Sequence, residues 1–445
     1  MNRQTFAWDR SRNKLRQEIR WIEFLSIAGL FLAALVLFCL DLGNVALLKG
    51  EEQTVARVAQ EIANAPLESL RWLFPTLEGK PYWERPPLVH GLVALLSLLF
   101  GSNEWTTRLP GAFLAACSVP LLYSLSREIF AARLPALFAT SVYLTLFPVV
   151  RYGRLAMLDG AVLCFEILTL VCILRSRRDL RWALGAGVGL SLLMLSQGMT
   201  GLIVLAITFL FLAWDTPRLL SCSFFALGIL LGGAPAIAWY TAQFLHHGQP
   251  FAGAMFGQYF KVIDGYAIGL SWYPLVGIFK SAWPWLIFAF YGLGMAWRER
   301  NWGWAKLILV WSSVFLVAVS LFSAQHSNAI VPIYPALAIA GGAALAEVGN
   351  WPSDRPYPRL WTILLSVLVF VPLVMGIGLY FETDFAALKA IDYLLFLFLA
   401  ALSFTWAMGA ALLAQRSEQF ISVLFWGMYV SLLLFVCSPN WSFWY

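Results

Sequence analysis

The sequence predicts an all-α polytopic membrane protein of about thirteen transmembrane helices, with interfacial helices in its first outside loop. Three observations carry this. Of 445 residues, 60% are hydrophobic and only 12% charged, with a mean hydropathy of +0.75, far from an ordinary soluble domain. Apolar runs approaching the roughly 20 residues that cross a bilayer recur along the chain. None shows the regular alternation of a barrel strand, so each run satisfies its own backbone as a helix.

The elements follow in order. Arg3, Arg10, Arg12, Lys14, Arg16 and Arg20 precede an apolar run from Phe24 to Leu40 with no small-residue cleavage pattern. This predicts a retained first span with its cytoplasmic end first. The candidate spans are residues 22–40, 109–126, 134–150, 158–174, 182–196, 198–214, 219–240, 281–297, 307–322, 330–347, 360–380, 393–414 and 419–437. Leu88 to Phe100 is a further apolar run, shorter than a crossing needs. The basic N-terminus and the Arg175, Arg177, Arg178, Arg181 cluster both belong inside, so an even number of crossings separates them. Leaving out Leu88 to Phe100 satisfies that parity, which makes this run an interfacial or re-entrant helix. The same parity places 41–107, 151–157, Gln197, 241–280 and 323–329 together outside. After the last span, the aromatic stretch 438–445 is expected to sit at the membrane interface.

The net charge of +6 does not signal nucleic acid, because the basic residues fall in short clusters between apolar runs, where they orient a membrane protein. Cys39, Cys117, Cys164, Cys172, Cys222 and Cys437 show no CxxC spacing and read as small buried hydrophobes.

Polar groups that could do chemistry concentrate on the outside face. Glu51 and Glu52 open a stretch in which Val55, Val58, Ala59 and Ile62 recur at helical spacing, an amphipathic helix lying on the membrane. The two carboxylates suit a helix N-terminus for dipole reasons alone, and equally suit a general base or a substrate-positioning group. In Pro81-Tyr82-Trp83-Glu84-Arg85-Pro86-Pro87, the prolines stiffen the entry to the short helix. Glu84 and Arg85 could orient a cation and an anion, and Tyr82 and Trp83 could be interfacial anchors. Arg154 and Asp159 lie where an outside loop becomes a span, as a loop-ordering ion pair or as functional groups. Glu166, two turns further along that helix, is costly in lipid and must face protein.

Lys49-Gly50-Glu51-Glu52, Gly79 through Leu88, Phe100 through Trp105 with Arg108-Leu109-Pro110, Arg154 through Asp159, and Val331 through Ala338 occur in the order of one known group. In this the chain resembles the ArnT-like, protein mannosyltransferase-related membrane glycosyltransferases. The resemblance covers roughly residues 22–350 and is most specific in its first 160. It implies a C-type glycosyltransferase fold in the inner membrane and transfer of a sugar from a polyprenyl-phosphate donor to a lipid, glycan or protein acceptor at the periplasmic face. Residues 1–350 would form a catalytic transmembrane module with its first periplasmic loop at 41–107, and 351–445 C-terminal transmembrane helices with no soluble domain. It implies catalytic roles for Glu51 and Asp159, substrate contacts from Glu52, Tyr82, Arg85, Arg154, Lys261 and Lys280, and a divalent metal ion at Glu84. Membrane lipids are the other expected partners.

The chain departs from the family at Gln197, where a lysine is usual, at Gln258, where metal-binding relatives carry histidine, and at Gln325, in a stretch that is usually basic. A transporter or flippase, or a non-catalytic assembly protein of the same fold, is the competing reading. Paired broken helices with mid-depth polar groups would mark a transporter, and Glu166 is the one residue that leans that way.

Overall fold

Helices account for nearly all of the regular structure, as the apolar runs require. The computed structural model describes residues 3–260, 273–322, 327–349, 351, 356–382, 393–439 and 441. Helix α1 (Arg3–Cys39) starts well before the apolar run, so the basic N-terminal stretch is helical too. A loop leads to α2 (Glu51–Asn64), whose N-cap Gly50 has φ 102°, a left-handed conformation that only glycine adopts without strain. A two-stranded hairpin follows, β1 (Thr76–Leu77) and β2 (Lys80–Pro81). Its turn residues Glu78 and Gly79 both have positive φ, as a two-residue hairpin with right-handed twist demands.

Helix α3 (Leu88–Phe100) has the thirteen residues read from the sequence. The Val55 and Ala59 stripe of α2 packs against Val93 and Ala94 of α3, so that stripe meets protein rather than lipid. Helix α4 (Glu104–Ile129) opens on a capping box. The Asn103 side chain accepts from the Thr106 amide, and the Thr106 hydroxyl accepts from the Asn103 amide, satisfying two otherwise orphaned donors.

The single span read at 134–150 is two helices, α5 (Arg133–Leu144) and α6 (Phe147–Arg154), bent by 57°. Pro148 is the cause, since it has no N–H for the carbonyl one turn earlier and its ring crowds that carbonyl. Beyond lie α7 (Asp159–Ser176), α8 (Trp182–Ser196), α9 (Gly198–Asp215), α10 (Pro217–Leu220) and α11 (Ser223–His247). Much of the stretch read as an outside loop is helical, as α11 runs on to His247 and is followed by α12 (Gln249–Phe260) and α13 (Tyr273–Ser281).

The remaining helices are α14 (Leu286–Arg298), α15 (Gly303–Phe322), α16 (Tyr334–Val348), α17 (Arg359–Leu368), α18 (Phe370–Glu382), α19 (Tyr393–Ala414) and α20 (Gln419–Val436). Among the described residues, eight helical stretches are long and apolar enough to cross a membrane, and nine if the bent α5–α6 pair is one span. Most of α7 is buried, although its 18 residues include the charged Asp159, Glu166 and Arg175.

One end of the bundle is tied by ion pairs. Glu23 joins Arg127 and Arg133, Glu128 joins Arg175 and Arg178, and Asp215 joins Arg177 and Lys306. The first turns of α2, α4 and α7 gather at the opposite end. All six cysteines are free thiols, two of them buried. Trp441, read as part of an interfacial tail, is instead 1% exposed and packed in the main core; residues 440 and 442–445 lie outside the described residues.

Candidate active site

The site is organised by a residue pair 56 positions apart in sequence. Glu52, in the first turn of α2, and Arg108, in the second turn of α4, are both fully buried. They form a two-point ion pair, Arg108 Nε to Glu52 Oε1 at 2.9 Å and Nη2 to Oε2 at 2.8 Å. Arg108 also donates to the carbonyls of Leu42, Val45 and Ala46. Glu52 accepts from the amides of Leu48 at 2.8 Å and Ala156 at 2.6 Å. A buried carboxylate is tolerated when its charge is paired and its lone pairs are filled, and both conditions hold here.

Glu52, expected to contact substrate, has four hydrogen bonds and no exposed surface, and clasps α2, α4, the 41–48 loop and the 155–158 loop. Arg154, also expected to contact substrate, is enclosed as well. It is fully buried, donates to Leu37 and Phe38 at the end of α1, and lies with its guanidinium carbon 4.9 Å from the Trp441 ring centre.

Glu51, one residue before the clasp, is half-buried at the rim. Its Oε1 lies 3.6 Å from Arg85 Nη2, an ion pair longer than a hydrogen bond. Arg85 reaches it because the hairpin is fastened to α2: Glu61 accepts from the Glu78 amide and the Thr76 hydroxyl, and Arg57 pairs with Glu78 at 2.7 Å. Strand β2 then delivers 81–87 to the first turn of α2. Tyr82 is buried, its amide donating to Pro75 at 2.9 Å, with its ring edge-on to His90 at 5.6 Å. Burial raises the Tyr82 phenol well above its ordinary range, which keeps it neutral.

Asp159 is the first residue of α7, 2% exposed and three positions beyond the clasped Ala156. The next residue must be glycine, because a Cβ on Gly160 would overlap the Gly111 carbonyl of α4. The structure thus carries Glu51 and Asp159 at the two ends of one clasped junction, with Arg85 beside Glu51.

Lys280 stands apart from that junction. With Arg151 and Ser281 it lines a cavity of about 600 Å³, otherwise walled by apolar residues of α17 to α20 such as Val371, Met375, Leu399 and Leu432, together with Phe147 and Trp283. Glu84 is exposed, and among the described residues no three His, Cys, Asp or Glu side chains converge to hold a metal ion. Lys261 and Gln325 lie outside the described residues. Gln258 falls in the last turn of α12 and Gln197 in the α8–α9 junction, half-buried. Glu166 accepts from Trp311 Nε1 at 2.8 Å within the core and is not among the residues that line the cavity.

Sequence reasoning passed over Arg108 and Trp441 as working parts. An arginine in the second turn of an apolar helix was the available signal for the first, since such a charge must find a partner. Nothing local signals the second.

His90, on α3, is fully buried, with Nδ1 3.1 Å from the Pro86 carbonyl, and burial holds its pKa down to about 4. The folded chain keeps this ring neutral, whereas the unfolded chain protonates it below about 6.5. Its contribution is intact above that pH and is lost as pH falls toward 4, on the order of 2 kcal/mol by pH 5. The protection factor of 81–90, exchange taken relative to the intrinsic amide rate at each pH, is expected to fall on acidification from pH 7 to 5, and His90→Gln to flatten that dependence. An equal slope in both proteins would contradict it.

Residues 84–240 match the family described as dolichyl-phosphate-mannose-protein mannosyltransferase. An undecaprenyl phosphate-alpha-4-amino-4-deoxy-L-arabinose arabinosyl transferase of Pseudomonas fluorescens is 26% identical over 344 residues, 74% of this chain and 60% of the relative. The chain thus spans about three-fifths of that relative's length. Among solved structures, ArnT from Cupriavidus metallidurans bound to undecaprenyl phosphate superposes with a TM-score of 0.73 at 19% identity, covering 92% of this chain and 76% of that one. The oligosaccharyltransferase AglB from Archaeoglobus fulgidus, in complex with an inhibitory peptide and a dolichol-phosphate, gives 0.54 at 13% identity, covering 93% and 56%. By family match, sequence and fold together, the chain is similar to the ArnT-like and protein mannosyltransferase-related membrane glycosyltransferases.

Proposed function

We propose that this protein transfers a sugar from a polyprenyl-phosphate donor to a lipid, glycan or protein acceptor at the periplasmic face of the inner membrane. The observation that carries the reading is the Glu52–Arg108 clasp, which fixes Glu51 and Asp159 on one junction with Arg85 at its edge. We count the eight spans, the bent pair and the four helices α7, α8, α9 and α14, the last together with the turns before it, as thirteen crossings. On that count α3 is an interfacial helix, and Glu51, Arg85, Asp159 and Lys280 lie outside. Basic residues on the ion-paired end then face the cytoplasm, in keeping with the charge bias of inside loops. Helices α18 to α20 belong to the same working unit as residues 1–350, because they wall the cavity at Lys280.

The chemistry is one displacement at the anomeric carbon. The bond from that carbon to the donor phosphate breaks, a bond to the acceptor oxygen forms, and polyprenyl phosphate leaves. A phosphate leaving group needs cations rather than a strong acid. Arg85 supplies one, and a donor phosphate competes with Glu51 for its guanidinium, which the 3.6 Å spacing favours. Glu51 accepts the proton of an acceptor hydroxyl, or orients an acceptor that is itself a phosphate. Asp159 supports the sugar or the acceptor. The apolar walls of the cavity suit a prenyl chain, each buried CH₂ being worth about 0.8 kcal/mol. The ArnT structure bound to undecaprenyl phosphate supports that ligand class.

The test is donor dependence in nanodiscs with an undecaprenyl-phosphate-linked sugar. Arg85→Ala is expected to raise the donor KM roughly tenfold to a hundredfold, the size of one lost charge-assisted contact, and Arg85→Lys less. An unaltered donor KM would remove Arg85 from phosphate recognition.

A further inference from the structure

We propose that Trp441, in the stretch after α20, is a positioning residue for this site, its indole holding two buried arginines in place. The inference deepens the glycosyltransferase reading and rests on it for its consequence in turnover, although the clamp itself does not. The ring is 1% exposed and turned back into the core after α20, where the Trp441 amide donates to the Ser438 carbonyl at 3.2 Å. The guanidinium carbons of Arg108 and Arg154 lie 5.1 Å and 4.9 Å from the ring centre. Two like charges, each fully buried, therefore share one aromatic neighbour.

The two arginines are not compensated alike. Arg108 has the Glu52 carboxylate. Among the described residues, the hydrogen bonds of Arg154 all go to main-chain carbonyls, those of Leu37, Phe38 and, at 3.5 Å, Asp41, and its Nε makes none. An electron-rich ring face adds to what these carbonyls and the nearby Asp41 carboxylate answer of that buried positive charge beside its like neighbour, and it does so best where water is excluded. Through Arg108 the ring steadies Glu52 and thereby the Leu48 and Ala156 amides. Through Arg154 it steadies the end of α1. Those are the stretches that lead into Glu51 and Asp159.

The experiment compares Trp441→Phe, Trp441→Met and Trp441→Ala with the wild-type full chain in nanodiscs. Hydrogen exchange in residues 41–52 and 152–159 is expected to rise about tenfold in the Met and Ala variants, with α17 to α19 unchanged. The Phe variant, which keeps a ring face, is expected to restore most of the protection. With an undecaprenyl-phosphate-linked sugar, kcat should fall about tenfold or more in the Met variant while the donor KM stays within about twofold. Should Trp441→Ala fail to fold, the comparison of Phe with Met decides the matter. Wild-type exchange in the Met variant, or equal loss in Phe and Met, would overturn the clamp. If the wild-type protein transfers no sugar, the functional reading fails while the exchange comparison still decides the clamp.

Discussion

Arg108→Met is expected to destabilise the protein by about 3–5 kcal/mol, the usual cost of stripping the partner from a buried charge. The variant leaves the Glu52 carboxylate without its two guanidinium contacts and with no access to water, while the carbonyls of Leu42, Val45 and Ala46 lose their donor. Adding Glu52→Gln removes the stranded charge and should recover much of the loss, since a neutral amide is far cheaper to bury. Denaturant unfolding of the two single variants and the double variant in detergent closes the cycle. A coupling near zero would mean that the pair is not the clasp described above.

Glu51→Gln is expected to act in the opposite manner, leaving the fold intact and removing the chemistry. Its carboxylate lies at the rim and is 35% exposed, so stability should change little. A lost general base typically costs 10²–10⁴-fold in rate, so kcat should fall by about that factor, with the donor KM nearly unchanged. Glu51→Asp should retain part of the activity, because it keeps the base and shortens its reach by one methylene. Turnover of Glu51→Gln within about twofold of wild type would take Glu51 out of proton transfer.

The contrast between these two neighbours shows what the sequence could and could not tell. The short-range features were legible: the amphipathic period of 55–62, the stiff Pro86-Pro87 entry to α3, and the charge clusters that orient the spans each depend on residues a few positions apart. Which of Glu51 and Glu52 stays at the rim was not legible, because it depends on Arg108, 56 residues away, and on the rotation of α2 against α4. Arg154 and Trp441 pose the same problem over a longer reach, as the ring that meets Arg154 comes from beyond the last helix. An aromatic residue there reads equally well as an interfacial anchor, and only the packing decides. The 57° bend within one apolar run was partly legible, since Pro148 marks the place but not the angle. The apolar cavity at Lys280 was hidden because its walls come from α6 and α13 together with α17 to α20.

The central claim, that the clasped junction carries out sugar transfer, is tested most directly by following one labelled undecaprenyl-phosphate-linked sugar in proteoliposomes by mass spectrometry. Native membrane lipid, glycan and protein fractions would be supplied as acceptors. With wild-type protein, free undecaprenyl phosphate should accumulate one-for-one with glycosylated acceptor, and Glu51→Gln should produce neither above background. Movement of intact donor from one leaflet to the other without cleavage would contradict the account in favour of a flippase. Donor left both uncleaved and unmoved would contradict it in favour of an assembly role.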